Sequence, residues 1–360
     1  MTITLHRMAI IPALAGLLLF SAQPVHACVE NPSVRPADLE ADAVNRLFLE
    51  RNYKQLDQLY QQYSTKRSTT PDGMSALSIF FRGIAKSFVG CTSSQRTEQE
   101  WKAQQASLAA WQAASPKSNG PKLALALNSV NYGWYARGRG VSSTVSGDAR
   151  SVFESRMEDA RHQFDKLGAL AKHNPAWYSG MLQIGLAQGW RREKFEPMYA
   201  SAVKLDPYYM NFHVVNKEYH DQKWYGSDQE MHQAVNTAVE LTKDRFGQAL
   251  YARLYTTEWK PRAMFTTGGV SWERMKKGFE DDLAIHPDLP TRRDYANYAC
   301  VADDANTLKQ QLDLLGDQAD IKSWGNNQHI AYCTGLATMS GTDRKPKCFK
   351  FTGTEDYICD

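Results

Sequence analysis

Apolar residues along this chain recur at three- and four-residue steps, the spacing that lines up one face of an α-helix. Met157, Ala160, Phe164, Leu167 and Ala171 form one such stripe, which ends before Asn174-Pro175, where proline pushes the preceding residue out of helical geometry. Met231, Ala234, Val235, Ala238 and Leu241 form another. Earlier, Leu56, Leu59 and Tyr60 mark one helix, and Leu77, Phe80, Phe81, Ile84 and Phe88 the next. Start signals accompany the stripes: Thr97 with Glu100, Ser151 with Glu154 and Ser227 with Glu230. In each pair the hydroxyl and the carboxylate can satisfy backbone donors that the first turn leaves open. Leu308, Leu312 and Leu315 run into Gly316, a natural C-cap. Sustained two-residue alternation is missing, so the pattern predicts an all-α protein with little or no sheet.

The breaks between stripes carry a rhythm. Asn174-Pro175-Ala176-Trp177-Tyr178 precedes one helix, and Asp206-Pro207-Tyr208-Tyr209 precedes another, with the two prolines 32 residues apart. Between them stand Gly185, small enough for close helix contact, and Phe195, Tyr199 and Ala202 at helical spacing. A helix pair closed by proline before the next pair opens resembles the tetratricopeptide repeat. Asp282 to Pro287 closes a further unit, but the period is uneven and the Gly138–Gly147 stretch inserts a loop. The expected architecture is an irregular tetratricopeptide-like stack of antiparallel helix pairs, whose units bury one another's apolar faces and leave a concave surface. A polar, turn-rich run from Ser115 to Pro121 divides an N-terminal helical subdomain (37–114) from a main repeat-like body (122–316), and a cysteine-rich tail (317–360) follows.

At the N-terminus, His6 and Arg7 precede an apolar run from Met8 to Ala22, and Val25-His26-Ala27 supplies a cleavage-site pattern. Residues 1–27 thus read as a secretory signal, the run being short for a membrane span. Export places the remainder in the periplasm or outside the cell. Cleavage after Ala27 would expose Cys28, so a lipoprotein anchored through Cys28 is the alternative. The six cysteines, Cys28, Cys91, Cys300, Cys333, Cys348 and Cys359, favour the soluble form, because an even number suits disulfides in an oxidising compartment. Cys348 and Cys359 flank a short Thr-, Gly- and Asp-containing segment, and Cys300 and Cys333 sit on either side of one helix and its following loop. Spacing alone does not choose among the fifteen pairings.

Charge excludes one function class. A net charge of +3 with both signs interspersed offers no electrostatic footprint for nucleic acid. No zinc-type cysteine pattern, redox CxxC, phosphate loop or nucleophile elbow occurs, so no metal or cofactor is expected. His213, His220 and Asp221 are the best cluster for an enzyme, a hydrolase for example, but lack the His-Glu-x-x-His spacing. Nine Trp and 17 Tyr draw attention instead to places where aromatics adjoin cations. Trp134 and Tyr135 are followed by Arg137 and Arg139, and Lys223 precedes Trp224 and Tyr225; Trp177 and Tyr178 are a further aromatic pair. Arginine can stack on such rings while donating a bidentate pair to a carboxylate. These eight residues, Trp134, Tyr135, Arg137, Arg139, Trp177, Tyr178, Trp224 and Tyr225, are the candidate binding surface.

The runs Trp134 to Gly140, Asn174 to Tyr178, Lys223 to Ser227 and Tyr298 to Asp304, in that order, resemble a bacterial family built around the domain of unknown function 4034, over roughly Leu108 to Trp324. The resemblance implies a bacterial setting and an all-helical fold and transfers no catalytic or ligand-binding residue. The reading that follows is a non-enzymatic module binding a protein or peptide of the cell envelope. Its rivals are an enzyme centred on His213, His220 and Asp221, and a structural protein whose aromatics are all buried. From the cysteine arithmetic, protein taken from its native compartment should contain at least two disulfides. Intact mass after alkylation with and without reductant measures them, and a majority of free thiols would contradict the export reading.

Overall fold

The computed structural model describes residues 35–86, 97–138, 144–257, 261–338, 348–350 and 357–359. The signal segment 1–27, Cys28, Cys91 and Arg139 lie outside the described residues, and so do the side chains of Cys348 and Cys359. Among the described residues the chain builds sixteen α-helices and one short strand pair. In order they are α1 (Pro36–Leu49), α2 (Tyr53–Lys66), α3 (Ala76–Ala85), α4 (Glu98–Ala114), α5 (Gly120–Arg137), α6 (Gly147–Lys166), α7 (Pro175–Ala187) and α8 (Arg192–Leu205). There follow α9 (Met210–Tyr219), α10 (Asp228–Phe246), α11 (Ala249–Tyr255), α12 (Pro261–Thr266), α13 (Trp272–Ile285), α14 (Leu289–Val301), α15 (Ala305–Leu315) and α16 (Asn327–Thr338). Strands β1 (Cys348–Lys350) and β2 (Tyr357–Cys359) pair antiparallel, with Cys348 opposite Cys359. The fold is all-α, an irregular tetratricopeptide-like stack of helix pairs; beside this hairpin, the described residues hold an isolated antiparallel bridge between Thr69 and Ser75 in the α2–α3 connection.

Local chemistry sets the helix ends. Thr97 and Glu100 form the full reciprocal capping box of α4. The Ser227 hydroxyl accepts the Glu230 N–H and opens α10. At α7 the Asn174 side chain accepts the Ala176 N–H, with Pro175 in the first turn, where its missing donor costs nothing. Helix α6 begins earlier than the Ser151–Glu154 signal suggests, because the Ser146 side chain already accepts the Ala149 N–H three residues on. Gly316 ends α15 in the left-handed region, at φ 53°, as its position after Leu315 predicts.

Packing follows the pair pattern. Helix α7 packs on α8 and α9, α9 on α10, α11 on α13, and α14 on α15. Two glycines permit the closest approaches. A Cβ on Gly185 would stand 3.0 Å from Trp190 and 3.1 Å from Phe195, so the close contact expected there is made with these rings. At Gly180 a Cβ would lie 2.0 Å from the Phe164 ring, so α6 and α7 meet at a distance only glycine allows. One apolar cluster runs without interruption from Val44 and Phe80 through Trp111, Leu123 and Phe164 to Tyr219. It crosses the 115–119 connection, where Gly120 fits against Tyr60 and Trp111. Further clusters centre on Val235 and Phe279, and on Cys300 and Leu308.

Early and late helices of the stack are tied together. Arg35, at the start of α1, pairs with Asp294 of α14 at 2.8 Å and lies 3.6 Å from Asp288. Arg253 of α11 holds Asp282 of α13 through both carboxylate oxygens, at 2.5 and 3.1 Å. It also donates to the backbone carbonyl of Asp72 at 2.8 Å, in the α2–α3 connection. The tail is fastened by a disulfide from Cys300 in α14 to Cys333 in α16, which closes a loop worth ~3–4 kcal/mol on the chain-entropy scale. Gly180→Ala should cost at least about 1–3 kcal/mol through overpacking against Phe164, read as a lower urea midpoint at unchanged m-value, and adding Phe164→Leu should restore part of the loss.

Candidate functional site

The last turn of α5 carries Trp134 and Arg137 three residues apart, hence on one helix face. Gly138 ends the helix at φ 70°, its N–H donating back to the Trp134 and Tyr135 carbonyls. The partner face comes from the turn between α9 and α10. There the buried Asp221 carboxylate accepts the Lys223 N–H at 2.7 Å, and the Asp221 carbonyl accepts the N–H groups of Trp224 and Gly226. No side chain fits at Gly226, where a Cβ would come within 2.1 Å of the His220 carbonyl oxygen. This tight turn delivers Trp224 edge-on to Trp134, with ring centroids 5.6 Å apart. Phe153 of α6 closes on the other side of Trp134 at 5.0 Å.

Arg137 lies over both indoles, its guanidinium carbon 5.2 Å from the Trp224 ring centre and 5.9 Å from that of Trp134. Tyr225 is 39% exposed although its hydroxyl donates to the Leu186 carbonyl at 3.0 Å, so the ring presents a face to solvent while its tip is fixed. Burial raises the Tyr225 phenol above its ordinary pKa, against the lowering influence of Arg137. Arg192 donates to the Tyr225 carbonyl and pairs with Glu230 at 2.5 Å, which completes a rim of alternating charge. The assembly can hold a flat or cationic group by stacking and an acceptor by guanidinium hydrogen bonds.

The eight sequence candidates therefore separate. Trp134, Arg137, Trp224 and Tyr225 come together. Tyr135 points to a second aromatic group with Trp101 and Tyr132, where Arg156 lies 4.5 Å above the Tyr132 ring. Trp177 is a core residue, its indole N–H donating to the Phe164 carbonyl at 2.8 Å, and the half-buried Tyr178 packs edge-on against it. Phe153, Arg192 and Glu230 belong to the assembly; Glu230 was legible only as the capping partner of Ser227, and nothing in the sequence marked Phe153 or Arg192 for this site.

The histidine region is divided too. His213 is buried, with Nε2 2.7 Å from the Pro207 carbonyl and Nδ1 2.9 Å from the Tyr199 hydroxyl. The carbonyl can only accept, so Nε2 carries the proton and Nδ1 accepts from Tyr199. His220, at the far end of α9, turns Nδ1 to the Asn216 carbonyl and lies 3.8 Å from Glu196. Asp221 serves the turn already described. In the tail, His329 lies 3.5 Å from the Cys333 sulfur, and Cys300, His329 and Cys333 form a group of metal-ligand type. The two sulfurs are joined to each other, so in this state they are not thiolate ligands.

Fold and site together define an all-helical, repeat-like protein with an aromatic and arginine assembly between helix pairs. In sequence, residues 41–190 match the family described as "Domain of unknown function (DUF4034)". The match begins within α1 and ends at Trp190. It takes in the Trp134 and Trp177 motifs but stops before Lys223–Ser227 and Tyr298–Asp304, a different extent from the Leu108–Trp324 span of the resembling motifs. No curated protein and no solved structure matches the chain.

Burial lowers the His213 pKa to about 4, against the raising effect of its bond to Pro207. A histidine depressed in this way is neutral when folded while the unfolded chain takes up the proton. Its stabilisation is therefore present above the unfolded value and lost as pH falls from ~6.5 toward 4, by about 2–3 kcal/mol. His213→Gln should flatten that part of the profile, which urea unfolding at pH 7 and pH 4.5 measures against the natural protein.

Proposed function

We propose that this protein is a non-enzymatic binding module of the bacterial cell envelope, and that it takes a protein or peptide on the surface formed by Trp134, Arg137, Trp224 and Tyr225. The observation that carries the reading is the placement of Arg137 over two indoles contributed by different helix pairs, next to the exposed ring of Tyr225. Trp, Tyr and Arg are the side chains most enriched among the residues that carry interface binding energy. Stacking on Trp134 and Trp224 and a bond to the Gly138 carbonyl fix the guanidinium in place, so little ordering remains to be done on binding. Helix-pair stacks commonly present such surfaces.

Export to the periplasm or beyond is supported by the signal-like N-terminus and by the Cys300–Cys333 disulfide, which persists in oxidising compartments. Among the described residues no helix is long and apolar enough to cross a membrane. In capture from envelope extracts, Arg137→Ala should weaken retention of the specific partner at least about tenfold while the far-ultraviolet circular dichroism stays that of the natural protein. Tyr225→Ala should act in the same direction. Equal retention by the natural and Arg137→Ala proteins would remove this surface from consideration.

A further inference from the structure

A cavity of about 290 Å³ lies between the α2–α3 connection, the α8–α9 turn and the end of α10, remote in sequence from Trp134 and Trp224. Two arginines and one carboxylate line it: Arg67, Arg245 and Asp206. Both cations are held in place. Arg67 ends α2 with left-handed backbone, at φ 47°, and its guanidinium donates to the Leu205 carbonyl. Arg245 donates to the Thr69 hydroxyl at 2.7 Å and lies 5.1 Å over the Tyr208 ring and 5.2 Å over Phe246. Each guanidinium has five N–H donors and the bonds just named use one apiece, so both forks keep donors in hand. Neither forms an ion pair within 4.0 Å of any described carboxylate. The hydroxyls of Thr69 and Ser75, which also line the cavity, act as acceptors toward Arg245 and the Ser78 N–H, so their own protons are left to donate.

Asp206 supplies the opposite pole. It is 8% exposed, and its Oδ1 accepts the Tyr208 N–H at 3.1 Å while Oδ2 has no hydrogen-bond partner among the described residues. Burial raises its pKa in spite of that bond and of the two nearby arginines, the sign of a carboxylate with too few partners. The cavity wall thus combines donors on Arg67 and Arg245 with a largely buried carboxylate that keeps one oxygen open. We propose that this cavity binds a small zwitterion, a molecule bearing a carboxylate and a protonated amine in the manner of a free amino acid, with its carboxylate on Arg67 and Arg245 and its ammonium group on Asp206. Bidentate guanidinium contacts suit the planar carboxylate, and the ammonium donor completes the Asp206 shell. The site is independent of the partner-binding surface proposed above.

The test is thermal unfolding and titration calorimetry of the full mature chain with glycine, L-alanine and L-glutamine, set beside propionate, ethylammonium and inorganic phosphate. At ~10 mM the amino acids should raise Tm by about 2 °C or more, and propionate or ethylammonium alone should fall at least tenfold short in affinity. Arg245→Gln and Arg67→Gln, both at exposed positions, should abolish the response, and Asp206→Asn should let propionate bind as well as glycine. Comparison is made on the ligand-induced shift, so a lower starting Tm in a variant does not obscure it. No response to any amino acid, an equal response to propionate or phosphate, or a full response retained in Arg245→Gln would each overturn the proposal.

Discussion

The fold depends on a cation placed where three distant segments meet. Arg253 and Asp282 are each only 13% exposed, and the guanidinium also serves the Asp72 carbonyl and lies 5.2 Å from the Phe246 ring. Burying a charge is expensive unless its hydrogen-bonding capacity is met, and here α11, α13 and the α2–α3 connection each supply part of what meets it. Removing either member leaves its partner charged and half-solvated, a change that costs ~3–5 kcal/mol in comparable sites. Helix-pair stacks are otherwise held by neighbour contacts alone. The bridge from Asp72 to Arg253, and the one from Arg35 to Asp294, make early and late helices of this stack interdependent.

That closure also explains where the polar sites fall. The α2–α3 connection is drawn against α10 and α11, which gathers Arg67, Thr69 and Ser75 with Asp206 and Arg245 around one cavity, Thr69 bonded directly to Arg245. At the aromatic site the end of α5 meets the α9–α10 turn, which brings Trp134 and Trp224 edge to face. Both sites lie at helix ends and turns. Helix interiors here are spent on mutual burial, as Gly180 against Phe164 shows, and termini are where backbone groups and long side chains remain to be used.

Much of the local structure was legible in the chain. The capping pairs at Thr97 and Ser227 open helices where expected, Gly316 closes one, and Pro175 stands in a first turn. The Ser151 signal was misleading because Ser146 offers an equivalent cap one turn earlier, and the apolar stripe tolerates both starts. The aromatic and arginine motifs were legible as a group but not one by one. Trp177 and Trp224 each stand beside a tyrosine, yet Trp177 is 7% exposed and bonded to Phe164 while Trp224 is half-buried beneath Arg137.

By itself the sequence determined what a few residues of backbone can decide: helical periodicity, caps, proline breaks, and cysteines suited to an oxidising compartment. The tertiary structure alone decided which stripe faces which, that Cys300 joins Cys333, and which cations meet which acceptors. Thr69 and Arg245 lie 176 residues apart, and Asp72 and Arg253 lie 181 apart. Helix formation is governed by hydrogen bonds four residues long, so its signals sit in adjacent residues. An arginine carries no local mark of its partner, because electrostatics and packing act through distances that exist only once the helices have docked.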